Sequence, residues 1–207
     1  MFESKILDLV KHHVLEFFAN KTSVEDLYHN LSHTIEVVEL SNKIALEEKL
    51  SYDDKEILLI AAWFHDTGHF NCCNGHEDQS VEFAKDFLDN KSYPEQKIDR
   101  IVGCIRATKI PQNPSNKLEQ IICDADLQHL GMADIEERGF TLRKELEIKG
   151  IKKVDDIEWL KSSLEFLSNH KFFTDYAIKT YGDQKKINQM NIEKKLKTLQ
   201  SIVIKSN

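Results

Sequence analysis

The sequence predicts an all-α fold, and three observations support this prediction. Apolar residues recur at helical spacing along most of the chain, beginning with Ile6, Val10, Val14 and Phe17. No segment shows the strict alternation of apolar and polar residues that indicates a half-buried strand. Gly (7) and Pro (3) are scarce among the 207 residues, and no Ser/Gly-rich linker divides them. We therefore expect a single helical-bundle domain over residues 1–207.

Helix boundaries follow from capping residues and apolar spacing. Ser32 is a suitable N-cap, an acid at Asp53 or Asp54 favours a helix start, and Pro94 suits a first turn. Gly182 is expected to end a helix, since glycine favours the position after a C-cap. The expected helices are 3–19, 33–49, 53 to the His-Asp pair at 65–66, 76–88, 94–109, 117–130, 132–149, 155–168, 175–181 and 184–203.

Composition and charge exclude several classes of protein. The net charge of −7 argues against binding to a nucleic-acid backbone, which needs a basic surface. The longest apolar run is far shorter than the ~20 residues that span a bilayer, and the N-terminus does not resemble a secretion signal. We expect a cytoplasmic protein without membrane partners. Its four cysteines, Cys72, Cys73, Cys104 and Cys123, are then reduced thiols.

The most informative stretch is Ile57–His69, ILLIAAWFHDTGH. Eight apolar residues, Ile57–Phe64, lead directly into His65 and Asp66. A helix that is apolar on every side must be buried, and burying an imidazole and a carboxylate without partners costs several kcal/mol. The best candidate for their partner is a metal ion.

Two further ligand candidates lie on predicted helices. His33 shares a helical stripe with Val37 and Ile44, so it points towards the core. In the helix at 117–130, Asp126 lies on the flank of the buried stripe, whereas Asp124 is expected well away from it. Two imidazoles and two carboxylates suit Mn, Fe, Zn or Mg without selecting among them.

The order His33, His65-Asp66, Asp126 resembles that of the HD-domain superfamily of metal-dependent phosphohydrolases. YHNLSH at residues 28–33 looks like the Y-H-N-x-x-H element of cyclic-nucleotide phosphodiesterases, and HDTGH resembles their H-D-x-x-H. DADL resembles the element that carries the last ligand. The resemblance covers about residues 28–130, with a C-terminal helical part at about 131–207. Segments of that part look similar to a bacterial group of YHN-type HD hydrolases.

The resemblance implies a site with one or two divalent ions. His33, His65, Asp66 and Asp126 would hold the first ion, and Asp66 would bridge to a second. The implied catalytic residues are Asp66 and His29, with His29 as the general acid that protonates the leaving oxygen. A metal-bound hydroxide would be the nucleophile.

Other side chains are candidates for supporting roles, each with a plainer alternative. His69, His76 and Glu77 would belong to a second metal site or hydrogen-bond the ligands; helix capping is the alternative. The candidates for contacting substrate are Arg106, Lys109, Arg143 and His170. For the cations among these, a solvated surface position is the plainer interpretation.

The predicted function is hydrolysis of a phosphoester of a nucleotide or a related small phosphorylated metabolite. Cyclic-nucleotide cleavage is the most specific form of this hypothesis. The chain differs from the mammalian phosphodiesterases in lacking their long C-terminal part, which argues against the same substrate specificity. The alternatives are a nucleoside polyphosphate pyrophosphohydrolase and a non-catalytic, metal-stabilised nucleotide sensor. A homo-oligomer is compatible with the sequence.

Overall fold

The computed structural model of the protein describes residues 4–21, 23–70 and 75–206, with side chains up to residue 203. Within these residues the chain forms nine α-helices and two short 3-10 helices but no strand, which confirms the all-α prediction. None of the described helices combines the length and apolar character needed to cross a membrane. Internal contacts divide the chain into two compact units, Met1–Asp126 and Leu127–Asn207. A single domain across both units stays a prediction.

The first unit is built around a central buried helix, α3. Every residue of α3 from Glu56 to Phe64 is buried, as the apolar run predicts. This helix contacts α1, α2, α4, α5 and α6, so its C-terminal end lies in the interior of the unit. The helices of this unit are α1 (Lys5–Lys21), α2 (Leu31–Glu47), α3 (Tyr52–Phe64), α4 (His76–Asp89), α5 (Glu95–Ala107) and α6 (Lys117–Asp126), with a 3-10 helix at Thr67–Phe70.

The start of α2 differs from the prediction. Asn30, not Ser32, is the N-cap, and its Oδ1 accepts hydrogen bonds from the backbone amides of Ser32 (2.9 Å) and His33 (3.2 Å). Ser32 was the wrong choice because both residue types cap well and the local sequence does not rank them. The cap fixes the backbone of His33 in the first turn of α2.

The second unit contains a 3-10 helix at Gln128–Gly131 and the helices α7 (Ile135–Ile148), α8 (Asp156–Asn169) and α9 (Asp175–Ser206). Apolar side chains of α8 and α9 form its core, among them Leu160, Leu167, Ile192 and Leu196. The predicted break at Gly182 is absent from α9, which is continuous through that position. Glycine inside a helix costs only about 1 kcal/mol, and the core contacts on both sides of Gly182 outweigh this cost.

The described cysteines, Cys104 and Cys123, are buried free thiols. Burial raises the pKa of the Cys104 thiol to about 12, so this side chain behaves as a small apolar group. Cys72 and Cys73, in the loop expected at residues 70–75, lie outside the described residues.

Candidate metal centre

The four predicted metal ligands converge in the first unit. His33 lies in the first turn of α2, His65 and Asp66 directly follow α3, and Asp126 is the last residue of α6. His33, His65 and Asp66 are buried. Three separate segments therefore deliver two imidazoles and two carboxylates to one interior position.

The distances between the ligand atoms fit a shared ion. The Nε2 atom of His33 lies 3.3 Å from Asp66 Oδ2, 3.2 Å from Asp126 Oδ1 and 3.4 Å from His65 Nε2. The Nε2 atom of His65 lies 3.2 Å from Asp66 Oδ2 and 3.8 Å from Asp126 Oδ1. Ligand atoms about 2.1 Å from a common ion would lie about 3.0–3.4 Å from one another at octahedral or tetrahedral angles. His33, His65 and Asp66 therefore form a group that fits one divalent metal ion. Asp126 lies beside this group, with Oδ1 within the range from His33 Nε2 and beyond it from His65 Nε2.

Hydrogen bonding prepares His65 and Asp66 for a cation. His65 Nδ1 donates to the backbone carbonyl of Ala62 at 2.8 Å, which turns Nε2 towards the cluster, where a metal ion would displace its proton. Asp66 Oδ2 is buried and accepts no hydrogen bond of acceptable geometry from the described residues. A buried, unsatisfied carboxylate oxygen is costly and calls for a cation.

The pKa shifts of His33, His65 and Asp66 also indicate that positive charge is favoured at this position. Burial lowers the pKa of His33, but the hydrogen bond with Asp126 and the contacts with Asp66 outweigh it and raise the pKa to about 10. For His65, burial likewise lowers the pKa and the negative charge of Asp66 raises it, with a net increase. Burial raises the pKa of Asp66, whereas the charge of His65 brings it well below its usual range. Protons on the imidazoles neutralise the carboxylates in the metal-free protein.

The second oxygen of Asp66 faces the start of α4. Asp66 Oδ1 lies 3.3 Å from His76 Nε2, and His76 Nε2 lies 3.7 Å from Oε1 of the buried Glu77. One carboxylate thus contacts the four-ligand cluster through Oδ2 and His76 through Oδ1. The structure thus places His76 and Glu77 beside Asp66, and their role in a second metal site or as partners of the ligands stays a prediction.

His29 and His69 lie beside this cluster as a stacked pair. Their ring centroids are 3.8 Å apart with an interplanar angle of 20°. The ring of His29 lies 6.3 Å from that of His33, and the ring of His69 lies 5.3 Å from that of His76. His29 is therefore next to the expected ligands without being one of the four.

Two of the expected substrate-binding cations, Arg106 and Lys109, lie in the first unit. Arg106 Nε and Lys109 Nζ lie 3.4 and 3.5 Å from the two carboxylate oxygens of Asp78, in the first turn of α4. These side chains are exposed. Both cations are thus paired with a residue that follows His76 and Glu77 in sequence; their contact with substrate stays a prediction.

Arg143 and His170 belong to the second unit. The guanidinium of Arg143 pairs with Glu147 (3.2 Å) and Asp156 (2.7 Å) and lies over the ring of Trp159. The ring of His170 lies edge-on to Phe172 at 4.8 Å. Their roles towards a substrate stay predictions.

The prediction for Asp124 is wrong, because this residue is fully buried rather than turned away from the core. Every residue of α6 from Ile121 to Ala125 is buried. A stretch of helix in which every residue is buried offers no contrast from which periodicity can assign an outward position.

Two groups that orient ligands were missed by the sequence analysis. Asn30 caps the turn that carries His33, and its position inside the YHN element was an available signal. The Ala62 carbonyl orients His65, but a backbone acceptor leaves no trace in the residue type.

Comparison with known proteins places this geometry in a family context. Residues 30–131 match the family model of the HD domain. Over 76 residues the chain is 37% identical to an uncharacterized protein of Clostridium beijerinckii, a match that covers 35% of this chain and 48% of that protein. The matched region thus spans about half the length of this relative.

Solved structures resemble the chain over almost its whole length. A predicted HD superfamily hydrolase from an uncultured Thermotogales bacterium has a TM-score of 0.60 and 20% identity, covering 97% of this chain and 93% of that one. YpgQ of Bacillus subtilis, solved in complex with ADP, has a TM-score of 0.65 and 19% identity, covering 96% and 97%. A Lactobacillus plantarum protein has a TM-score of 0.71 and 15% identity, covering 97% and 100%. At these identities the likeness concerns the fold.

Proposed function

We propose that the chain, whose residues 30–131 match the family model of the HD domain, is a metal-dependent phosphohydrolase that hydrolyses a phosphoester of a nucleotide or a related small phosphorylated metabolite. The observation that carries the proposal is the group formed by His33, His65 and Asp66, whose ligand atoms lie 3.2–3.4 Å apart. Asp126 adds a carboxylate oxygen 3.2 Å from His33 Nε2. A structural metal site would be expected to use thiolates and to be closed, whereas this donor set of nitrogen and oxygen is typical of working sites.

The four side chains would hold one divalent ion. When bound, the ion would supply positive charge to the phosphate oxygens and lower the pKa of a water molecule towards neutrality. The chain contributes the fixed geometry: the Asn30 cap holds His33, the Ala62 carbonyl orients His65, and the exit from α3 places Asp66. Because these supports hold the side chains in place before substrate binds, little reorganisation is expected on binding.

His29 is the proposed proton donor to the leaving oxygen. The His29 ring is half-buried, and stacking on His69 restricts its orientation. His29 is not one of the four proposed ligands, so donating a proton would not compete with holding the ion. An imidazole can both donate and accept a proton and is therefore suited to general acid catalysis. His76 and Glu77, on the outer side of Asp66, would orient this carboxylate or complete a second cation site.

A second candidate function is cleavage of a pyrophosphate bond in a nucleoside polyphosphate. The observation that favours it is the pair Arg106 and Lys109, joined to Asp78 on the same turn of α4 as His76 and Glu77. Two neighbouring cations suit a ligand with more than one phosphate. The Bacillus subtilis relative was solved with ADP, a nucleotide of this class.

The test combines metal analysis with a substrate panel. Protein purified without chelators is assayed for Mn, Fe, Zn and Mg, then incubated with cyclic nucleotides and with nucleoside mono-, di- and triphosphates. We expect about one or two ions per chain and metal-dependent turnover of at least one compound. Asp66→Asn should lose both.

The control for this substitution is Glu56→Gln, which alters another buried carboxylate of the first unit. Glu56 accepts hydrogen bonds from Ser4, from Tyr93 (2.6 Å) and from Lys97 (3.4 Å), none of which belongs to the centre. Glu56→Gln should therefore retain the metal. Release of diphosphate or of orthophosphate separates the two enzymatic functions. Bound metal without turnover of any compound would support the sensor alternative, and a protein that binds no metal would refute the proposal.

A further inference from the structure

The turn that carries the ligand pair is packed unusually closely against α4. A Cβ atom built on Gly68 would lie 2.1 Å from the His76 carbonyl oxygen, 2.6 Å from the Ser80 amide nitrogen and 2.8 Å from Gln79 Cβ. The first two atoms belong to one backbone hydrogen bond of the helix, from residue i to residue i−4. Only glycine therefore permits this approach.

A hydrogen bond between the two segments accompanies this close contact. The backbone amide of Gly68 donates to Ser80 Oγ at 2.8 Å, and Ser80 is fully buried. The amide lies in the 3-10 helix that immediately follows His65 and Asp66. Without Ser80 Oγ the amide would be a buried donor lacking this acceptor, at a cost that favours separation of the segments.

The same contact sets the position of His76 relative to Asp66. His76 begins α4, and Ser80 lies one turn further along the same helix. Asp66 precedes Gly68 by two residues, and its Oδ1 lies 3.3 Å from His76 Nε2. The Gly68–Ser80 hydrogen bond and the His76–Asp66 contact therefore link the turn after α3 to α4 at two neighbouring points.

We infer that Ser80 is a positioning residue of the metal centre, acting through His76. By holding α4 against the turn at Gly68, it keeps His76 at the outer oxygen of Asp66 and so keeps Oδ2 directed at the other ligands. Groups that orient a metal ligand from outside the coordination sphere commonly change metal affinity 10–100-fold when removed. This inference rests on the proposed function only in requiring that the centre bind a divalent ion.

The experiment is a double-mutant cycle on metal affinity. Mn²⁺ is titrated into the chelator-treated full chain and into Ser80→Ala, His76→Ala and the double variant. Ser41→Ala is the matched control, because Ser41 is equally buried on α2 and has no hydrogen-bond partner among the described residues. Thermal denaturation of each metal-free variant establishes that it is folded.

We expect Ser80→Ala to weaken Mn²⁺ binding about tenfold, with no change for Ser41→Ala. In the His76→Ala background, Ser80→Ala should have less than about a twofold further effect, because the group through which it acts is gone. An unchanged affinity of Ser80→Ala, or an equal loss with and without His76, would overturn the inference while leaving the proposed function intact. Absence of Mn²⁺ binding by the unmodified protein would refute both.

Discussion

Asp66 contacts both the His33–His65 pair and His76, one with each oxygen of its carboxylate. One carboxylate oxygen faces His33 and His65, and the other faces His76. The sequence predicts the pairing of His65 with Asp66, because they are adjacent at the end of a buried helix. The direction of the second oxygen depends on how α4 packs against the turn, and no local pattern contains that information.

Substitution of His29 tests its proposed catalytic role. His29→Ala should lower kcat by about 100-fold or more, the usual contribution of a general acid, while the metal content stays unchanged. Steady-state kinetics and metal analysis measure the two effects separately. His12→Ala is the control, since His12 is exposed on α1 and pairs only with Glu16 among the contacts described. An unchanged kcat in His29→Ala would remove the acid assignment.

The titration of the centre predicts how metal stabilisation depends on pH. The pKa of His33 rises from 6.5 to about 10 in the folded, metal-free protein. Its contribution to stability is therefore complete below pH 6.5 and is lost as the pH rises towards about 10. The pKa of Asp66 is lowered, so its contribution is present above its unfolded pKa and lost in acid.

A metal ion replaces the imidazole protons, so the metal-loaded protein should follow the opposite trend. The difference in Tm between Mn²⁺-loaded and chelator-treated protein should increase from pH 6 to pH 8.5. Thermal denaturation at several pH values measures this difference. A Tm difference that is constant or falls with pH would contradict the assignment of His33 and His65 as ligands.

The helices of the first unit illustrate which elements a sequence can predict. The buried α3 is evident from its apolar run, and α4 begins at His76 as expected. The N-cap of α2 is not evident, because Asn30 and Ser32 are both good caps and only the three-dimensional turn distinguishes them. The orientation of Asp124 is hidden for another reason: the residues of α6 from Ile121 to Ala125 are all buried, so this stretch shows no polar face.

The continuity of α9 leads to a stability prediction at Gly182. A Cβ at this position would meet no atom within 4 Å, and the residue lacks a positive φ. Gly182→Ala should therefore increase the free energy of unfolding by about 0.4–1 kcal/mol. Urea denaturation measures the change.

Gly150→Ala is the matched control for Gly182→Ala. Gly150 also has open space around it, but its φ of +66° strains any residue with a Cβ. This substitution should decrease the free energy of unfolding. If Gly182→Ala were equally destabilising, the helix would break at Gly182, as the local sequence suggests.

For the whole molecule, all four ligands lie within the first unit and come from distant parts of the chain. The fold class is predictable because it depends on periodicity, and the types and order of the candidate ligands can be read from the chain. Their role as ligands stays a prediction. The supports of the ligands, such as the Ala62 carbonyl and Ser80 Oγ, arise from packing and have no sequence signature.

The location of the proposed ligands predicts which helices metal binding protects from amide hydrogen exchange. At a free Mn²⁺ concentration of about 100 times Kd, binding stabilises the folded state by about 2.7 kcal/mol. Amides of α2, α3 and α6 that exchange by unfolding of this unit should then exchange about 100-fold more slowly. Hydrogen exchange with mass spectrometry measures this, with α8 and α9, which carry no proposed ligand, as the internal comparison. Unchanged exchange in α2, α3 and α6 would contradict the site.

The most direct test of the metal centre is anomalous diffraction from crystals of the Mn²⁺-loaded protein. We expect a peak within about 2.0–2.3 Å of His33 Nε2, His65 Nε2 and one oxygen each of Asp66 and Asp126. A peak bound elsewhere, or no peak between these four side chains at saturating Mn²⁺, would contradict the account.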